Sequence, residues 1–258
     1  MSPYLIQVDM SDSWDWKTNI TQRKVEKSEN PSTGTFPPSL MRGAMFQGNN
    51  DDLKVYTYGG TSFLANTSFP NWEPPDSSTY ALWSYDTSTQ MWNQYDVTFA
   101  SLWRPNRGAY AEAPGRSTAF WLNGQIDQGT SNLTYTTGEN KTTYLEGMIV
   151  LNTGDQTARN VSTSSLGPAR VGGGLHYIEV MGTKHFLLAL GGMQKSVSSV
   201  ESSDASGLVD FESVHLCDDF DEDQSTWYSQ PTAGDIPEAR IEFCTVIIAA
   251  PDNSSHNV

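Results

Sequence analysis

Apolar and polar residues alternate in short runs along most of the chain, and the runs end at turn-forming residues. The stretches LKVYTYGG, STAFWLNG and HFLLALGG each follow a polar turn and end on a glycine. Alternation with a period of two, bounded by Gly, Asn and Asp, predicts antiparallel β-hairpins. The 3.6-residue period of a helix does not appear. The final glycines are Gly60, Gly124 and Gly192; Gly59 and Gly191 complete a pair in the first and third stretches, where the second has Asn123.

An arginine followed by small or apolar residues opens each of four comparable hairpins. These arginines are separated by 65, 63 and 70 residues. In the first three copies the final glycine follows its arginine by 18, 17 and 22 residues. A self-similar period of this length indicates a repeat architecture. The four arginines are Arg42, Arg107, Arg170 and Arg240.

Two further apolar runs complete each of the three full copies. The third run lies in STYALWSYD, EGMIVLN or FESVHLCDD, and in the first copy it ends at Asp86. An aromatic residue leads the fourth run, with Trp92 and Trp227 lying 32 and 35 residues after their glycines. The middle copy has Arg159 at the corresponding distance, so its tryptophan is missing. Each repeat therefore consists of four short antiparallel strands.

Repeats of four strands predict an all-β fold, a β-propeller in which each repeat forms one blade. Innermost strands converge on the propeller axis, which favours small residues such as those in RGA and RVGGG. An ordinary β-sandwich is the alternative. The predicted units are the end of one blade at 1–35, a blade at 40–98, a degenerate blade at 104–163, a blade at 167–231 and the start of another blade at 237–258.

The succession of Gly-Gly, apolar-Asp and Trp resembles the kelch repeat. More specifically, TWYSQPTAGDIPEARIEFC, KVYTYGG and YALWSYDTSTQMWNQY resemble the secreted or membrane-anchored kelch-repeat proteins of filamentous fungi. The resemblance covers nearly the whole chain. It implies a kelch-type propeller of the galactose oxidase and kelch superfamily. Its motif residues build blades, and they are Arg42, Gly59, Gly60, Asp86, Trp92, Arg107, Gly124, Arg170, Gly191, Gly192, Trp227 and Arg240.

The predicted units amount to about three whole blades and parts of two more. Residues 4–16 match a third and a fourth strand, and the glycine pair that should follow Arg240 is expected near position 260. Closed propellers have about four to eight blades. We therefore expect this sequence to be a piece of a longer protein. By the resemblance, the remainder would carry a signal peptide, further blades and often a C-terminal membrane segment.

The composition excludes some partners. Thirty acidic and fifteen basic residues give a net charge of −15, which repels the phosphates of nucleic acid. The apolar runs HFLLAL and CTVIIAA are far shorter than the roughly 20 residues that span a bilayer. We expect membrane attachment only through a segment outside this chain. Cys217 and Cys244 fit neither a CxxC motif nor a zinc cluster; two buried thiols are expected, and a disulfide stays open.

Sequons of the form N-x-S/T are about twice as frequent as the composition would give by chance. This abundance favours the secretory route, and therefore a location outside the cell or at its surface. A cytoplasmic location is the alternative. The candidate glycosylation sites are Asn19, Asn66, Asn132, Asn140, Asn160 and Asn253.

Few residues suggest catalysis. A copper enzyme like galactose oxidase needs clustered Tyr, His and Cys ligands, whereas the four histidines of this chain are widely spaced. His176 and Glu179, near the axis, form a conceivable catalytic pair. The acidic run CDDFDEDQSTW lacks the Asp-x-Asp-x-Asp-Gly spacing of a calcium loop and is interpreted as a solvated turn. We expect no catalytic residue, no metal and no cofactor.

Long loops between second and third strands, at 61–79, 125–143 and 193–210, should lie on one face of the propeller and form its binding face. Trp72 and Trp103 could stack on a sugar or pack beneath a loop. We expect a non-enzymatic scaffold that binds a protein or glycan partner at the fungal cell surface or outside the cell. The alternatives are an oxidase-like or hydrolytic enzyme with catalytic residues in missing blades, and an intracellular kelch adaptor.

Overall fold

The computed structural model of the chain describes residues 4–11, 13–15, 17, 20–61, 81–97, 104–127, 129–130, 142–181, 184–195, 207–218, 220–221, 225–252 and 255–257. In chain order the strands are β1 (Tyr4–Val8), β2 (Gln22–Glu26), β3 (Ala44–Phe46), β4 (Lys54–Tyr58), β5 (Leu82–Asp86), β6 (Met91–Tyr95), β7 (Ala109–Ala113), β8 (Thr118–Leu122), β9 (Gln125–Ile126), β10 (Thr143–Tyr144), β11 (Met148–Asn152), β12 (Thr157–Val161), β13 (Ala169–Val171), β14 (Gly174–Met181), β15 (Lys184–Leu190), β16 (Met193–Lys195), β17 (Ser213–Cys217), β18 (Trp227–Pro231), β19 (Ile248–Ala249) and β20 (His256–Asn257). Single-turn 3-10 helices occupy Pro114–Arg116 and Ser164–Leu166.

Within the described residues, three sheets have four strands each, and every one is an antiparallel meander. Blade 1 consists of β3, β4, β5 and β6. Blade 2 consists of β7, β8, β11 and β12, and blade 3 of β14, β15, β17 and β18. The predicted all-β fold of four-stranded antiparallel units is confirmed.

Shorter elements flank the three blades. The hairpin of β1 and β2 packs on blade 1, where Leu5 and Val25 contact the buried Trp83, Tyr85 and Trp92. Its second strand lies at Gln22–Glu26, so the prediction of both strands within residues 4–16 is wrong for the second one. At the other side, Phe243 and Ile247 pack against the apolar face of blade 3. Strands β19 and β20 form a separate two-stranded sheet.

Apolar side chains are buried mainly between blades. Tyr58 of blade 1 meets Trp121 of blade 2 edge to face, with ring centroids 5.8 Å apart. Between blades 2 and 3, Phe120 meets Phe220 in the same manner at 5.1 Å. Because neighbouring elements cover both faces of a central strand, β5 and β11 are buried along almost their whole length instead of at alternate residues. Gly108 is required in this packing, since a Cβ there would lie 2.3 Å from the Trp121 ring.

Each blade has two ends. We define the upper face as the end where first and third strands begin and second and fourth strands finish. The lower face carries the tight turns between first and second and between third and fourth strands. The predicted long loops leave the upper face, although most of their residues (62–80, 131–141 and 196–206) lie outside the described residues.

Candidate functional site

The strand register identifies which residues are equivalent on the upper face. Ala44 pairs with Tyr58, Ala109 with Leu122, and Gly174 with Leu190, and a Gly or Asn follows each of these partners. Two residues before each first-strand residue, the equivalent positions hold Arg42, Arg107 and Gly172. Arg170 therefore lies two residues too early to match Arg42, which corrects the alignment of the four arginines. The physical reason is that glycine occupies the turn position in blade 3, and Arg170 lies within the extended β13 instead.

These equivalent residues share a left-handed backbone. The φ angles are 58° at Arg42, 56° at Arg107, 66° at Gly172 and 54° at Glu242. Each of the last three donates its amide N–H to the carbonyl oxygen of the preceding one: Arg107 to Arg42 at 3.2 Å, Gly172 to Arg107 at 2.8 Å and Glu242 to Gly172 at 2.8 Å. We name these four residues the axial ring, because they link successive innermost strands.

The glycine pairs bond one blade to the next. The Gly60 N–H donates to the Pro105 carbonyl at 2.7 Å, Gly124 donates to Arg170 at 3.0 Å, and Gly192 donates to Arg240 at 3.3 Å. The first residue of each pair is also left-handed, with φ of 66° at Gly59 and 56° at Gly191.

Asn123 replaces the first glycine in the middle copy without changing the backbone. Its φ is 52°, and asparagine tolerates this conformation better than most residues. The Asn123 side chain adds contacts that glycine lacks: its Nδ2 donates to the Gly147 carbonyl at 3.1 Å, and its Oδ1 accepts from the Arg170 N–H at 3.3 Å. The degenerate pair is therefore a complete inter-blade connection.

Three charged side chains of the axial ring meet at one point. Arg42 Nε lies 3.3 Å and Arg107 Nε 3.0 Å from the same oxygen, Glu242 Oε1. The Arg42 and Glu242 side chains are about half exposed, at 48% and 44%, whereas Arg107 is 17% exposed. The Arg107 Nε is fully covered and, within the described structure, makes no hydrogen bond of good geometry despite its short distance to Glu242. The cluster carries one net positive charge.

Arg170 is buried beside His215. Its Nη2 lies 3.3 Å from His215 Nε2, and burial lowers the pKa of Arg170 to about 10. Burial, and the charge of Arg170 in second place, lower the pKa of His215 to about 4. Arg240 instead lies near the surface, where its Nε donates to the Glu238 carbonyl at 2.9 Å.

The remaining motif residues stabilise turns and blade interfaces. Asp86 Oδ1 accepts hydrogen bonds from Ser88 and Thr89 on the lower face; those from the Ser88 hydroxyl and the Thr89 amide contribute most to lowering the pKa of Asp86 to about 2. Trp92 is buried against β1 and β2. Trp227 Nε1 donates to Ser225 Oγ at 2.9 Å, and that hydroxyl donates to the Ser162 carbonyl of blade 2 at 2.8 Å.

The register also corrects the expected place of the missing tryptophan. Trp92 pairs with Tyr85 and Trp227 with Cys217, and the equivalent pair in blade 2 is Ala158 with Leu151. Ala158, not Arg159, therefore occupies the tryptophan position. Arg159 is one residue further on, where its Nη2 donates to the Phe220 carbonyl of blade 3 at 2.8 Å.

A cavity of about 410 Å³ lies along the innermost strands. Its lining includes Tyr110, Glu112, His176, Cys244 and Thr245. Burial raises the pKa of Glu112, which accepts a hydrogen bond from the Gln47 N–H at 2.6 Å. Burial also lowers the pKa of His176, which is hydrogen-bonded to Thr245 Oγ1. Glu179, the other member of the conceivable catalytic pair, is exposed.

Other sequence candidates are scattered. Asp218 and Asp221 of the acidic run pair with Lys184 and Arg116, so this turn is bonded to β15 and to the 3-10 helix Pro114–Arg116. Cys217 and Cys244 are not bonded to each other; Cys217 is buried as expected, whereas the expectation of a buried thiol is wrong for Cys244, which is exposed. Asn160 is exposed on β12. Asn19, Asn66, Asn132, Asn140, Asn253, Trp72, Trp103, Asp219, Glu222 and Asp223 lie outside the described residues.

Two searches confined to the described residues gave negative results. They contain no group of three or more His, Cys, Asp or Glu side chains placed to hold a metal ion. Among the same residues, no helix has the length and apolar character needed to cross a membrane.

Comparison with known proteins supports the predicted resemblance. No protein-family profile matches the chain. The chain is 25% identical to a Kelch repeat-containing protein of Arthroderma benhamiae over 290 aligned positions, which cover 98% of this chain and 38% of that protein. The chain thus spans well under half the length of this relative.

A solved structure agrees on the fold. The structure of YjhT superposes with a TM-score of 0.52 at 12% identity, covering 93% of this chain and 61% of YjhT. At this identity the likeness concerns the fold alone, and YjhT is a kelch-type propeller. The protein is therefore an all-β chain of kelch-type propeller blades, similar to kelch-repeat proteins as its sequence predicted.

Proposed function

We propose that this chain is a non-enzymatic propeller module that binds a protein partner through its upper face. The observation that carries the proposal is the structure of the axial ring. Main-chain hydrogen bonds fix its backbone, and charged side chains project from three of its four positions. A rigid scaffold that presents varied side chains and long loops at one end is well suited to recognition. The similarity to a Kelch repeat-containing protein adds support for an interaction role.

The test compares two attachment points for a bulky polymer. Met41 and Met91 are similarly exposed, at 38% and 40%, but Met41 adjoins the axial ring and Met91 begins β6 at the lower face. The C244S background removes the exposed native thiol. In this background, M41C and M91C are each coupled to a large polyethylene glycol maleimide. The immobilised chains are then used to capture proteins from fungal cell-surface extracts, with quantitative mass spectrometry as readout.

We expect the modified M41C chain to lose captured proteins that the modified M91C chain and the C244S parent retain. Equal capture by all three would contradict recognition through the upper face. If the chains capture glycans and no proteins, the partner is a carbohydrate and the proposal of a protein partner is wrong.

We further propose that the protein acts outside the cell or at its surface, as fungal secreted kelch-repeat proteins do. Asn160 provides the check, because its exposed position on the outermost strand of blade 2 leaves it accessible to glycosylation. Expression in a secretory host followed by glycosidase treatment should lower the apparent mass, and N160Q should lower it by one glycan before treatment. An unchanged mass in both experiments would favour the cytoplasmic alternative.

The cavity along the innermost strands favours one second candidate function, a propeller enzyme. Glu112 and His176 line it, and their pKa values move in opposite directions through burial. Shifts of this kind are common at catalytic sites, and also in structural cores. Assays for galactose-dependent peroxide release and for glycoside hydrolysis test this candidate; activity lost in both E112Q and H176Q would establish it.

A further inference from the structure

The axial ring retains charged side chains in a backbone conformation that disfavours them. Gly172 shows that glycine meets the requirement at no steric cost, yet Arg42, Arg107 and Glu242 adopt φ angles of 58°, 56° and 54° at the equivalent positions. Residues other than glycine are strained in this region, and such strain concentrates at functional sites. Gln90, Ser117 and Gln156 adopt the same φ range in tight turns, so the conformation admits several kinds of side chain. The ring is distinguished by the charges that it brings together.

The existing ion pair leaves Arg107 incompletely satisfied. Both Nε atoms approach one oxygen of Glu242, and the covered Arg107 Nε makes no hydrogen bond of good geometry in the described structure. Glu242 itself is 44% exposed, so a surface ion pair of this kind is weak and exchangeable. A second carboxylate with freer geometry could bond to both guanidinium groups.

Charge around the ring also favours an anionic ligand. The chain has a net charge of −15 and eight arginines. Five of the eight belong to the ring or to the three residues preceding it in sequence: Arg42, Arg104, Arg107, Arg170 and Arg240. Arg104 and Arg170 are buried, so their charges act at a distance, and the concentration of arginine at this end of the inner strands favours an acidic ligand there.

We propose that Arg42 and Arg107 bind the side-chain carboxylate of an acidic residue on the protein partner, and that Glu242 occupies their guanidinium groups until that residue displaces it. This inference rests on the proposed interaction function and names its central contact. A glutamate side chain is the indicated ligand because a glutamate of the chain itself already lies between the two arginines.

Glycine variants test the proposal without backbone strain, because Gly172 already occupies the equivalent position. The full 258-residue chain, R107G, E242G and the surface control R23Q are titrated with N-acetylglutamate amide, and binding is followed by NMR of the arginine Nε–H signals. Two matched probes serve as comparisons. N-acetylglutamine amide lacks the negative charge, and glucuronate carries its carboxylate on a sugar. Circular dichroism verifies that each variant is folded.

We expect saturable shifts with the glutamate probe and none with the glutamine probe. Loss of the competing carboxylate in E242G should tighten binding about two- to fivefold, the size of a released surface ion pair. R107G should weaken binding about tenfold or more, the size of a lost charge-assisted hydrogen bond, and R23Q should leave it unchanged.

The proposal fails if the glutamine probe binds equally, if E242G binds no tighter than the native chain, or if glucuronate binds at least about tenfold tighter than the glutamate probe. The protein-capture experiment distinguishes failure of this contact from failure of the proposed interaction function. Captured proteins that R107G retains in full would overturn this contact while leaving the interaction function intact, whereas a chain that captures no protein through its upper face overturns the function itself.

Discussion

The glycine pairs yield a quantitative prediction, because the chain contains a matched control for one of them. Gly59 and Gly34 have nearly the same φ, 66° and 68°. A Cβ at Gly59 would lie 2.5 Å from the Pro105 carbonyl oxygen, whereas a Cβ at Gly34 would meet nothing within 4 Å. Replacing either residue by alanine therefore imposes the same left-handed strain, and only G59A adds a collision with the next blade.

The expected magnitudes follow from these two contributions. Left-handed strain costs about 1 kcal/mol for alanine, and alanine changes the unfolded chain equally in both variants. In G59A the collision also displaces the hydrogen bond from Gly60 to Pro105, which is 2.7 Å long and contributes about 1 kcal/mol. Relief of the close contact adds a similar amount. We expect G34A to lower the free energy of unfolding by about 1 kcal/mol and G59A by about 2–4 kcal/mol.

Urea unfolding followed by tryptophan fluorescence measures both values, with the slope of the transition as a check on cooperativity. Hydrogen exchange at the Gly60 amide reports the inter-blade bond directly, and its protection should fall in G59A and persist in G34A. If G59A costs no more than G34A, the glycine pair is required only for its own turn, and the inter-blade explanation is wrong.

Three further predictions concern other inter-strand contacts. The pKa of His215 is lowered to about 4 from the ordinary 6.5, so between these pH values the folded state binds fewer protons than the unfolded chain. The free energy of unfolding should therefore fall as the pH drops from 6.5 towards 4. The expected loss is about 1–2 kcal/mol after discounting for solvent screening. H215Q should remove this component, and an H215Q chain with the native pH dependence would refute the assignment. The Asp86 carboxyl should titrate near pH 2 by NMR, and D86A should destabilise the chain more than D86N, which keeps the accepting oxygen; a titration near 4 would contradict the turn bonds. W227F should lose the bridge through Ser225 to Ser162 and about 1–2 kcal/mol of stability, S225A should lose a similar amount, and the double variant should lose scarcely more than either; additive losses would show that the bridge does not act as a unit.

The blade architecture could be predicted from the sequence because it depends on local signals. Period-two alternation, turn residues and the succession of a glycine pair, an aspartate and a tryptophan specify four strands per repeat. Even the degenerate copy was recognisable, since asparagine accepts the backbone of the glycine it replaces.

The site could not be predicted in the same way. Glu242 and Gly172 do not resemble Arg42, so residue identity aligned the arginines and missed the axial ring by two positions in the third and fourth copies. Equivalence in the ring is set by hydrogen-bond register between strands far apart in sequence. A left-handed arginine has no sequence signature, although RGA in two copies and GGG in a third gave a partial signal. The equivalence of Ala158 to Trp92 and Trp227 could not be predicted for the same reason, because counting residues from a glycine ignores variation in loop length.

In the axial ring, the main-chain atoms that link the blades are distinct from the side chains that are available to a ligand. The hydrogen bonds that link its members join main-chain atoms, whereas its ion pairs join side chains, and the intervals between its members are 65, 65 and 70 residues. Connecting loops can therefore change length, and the side chain at each ring position can be exchanged, while the backbone path is kept. Binding preference in such a chain could change one residue at a time, with arginine, glutamate or glycine installed independently in each blade and no blade rebuilt.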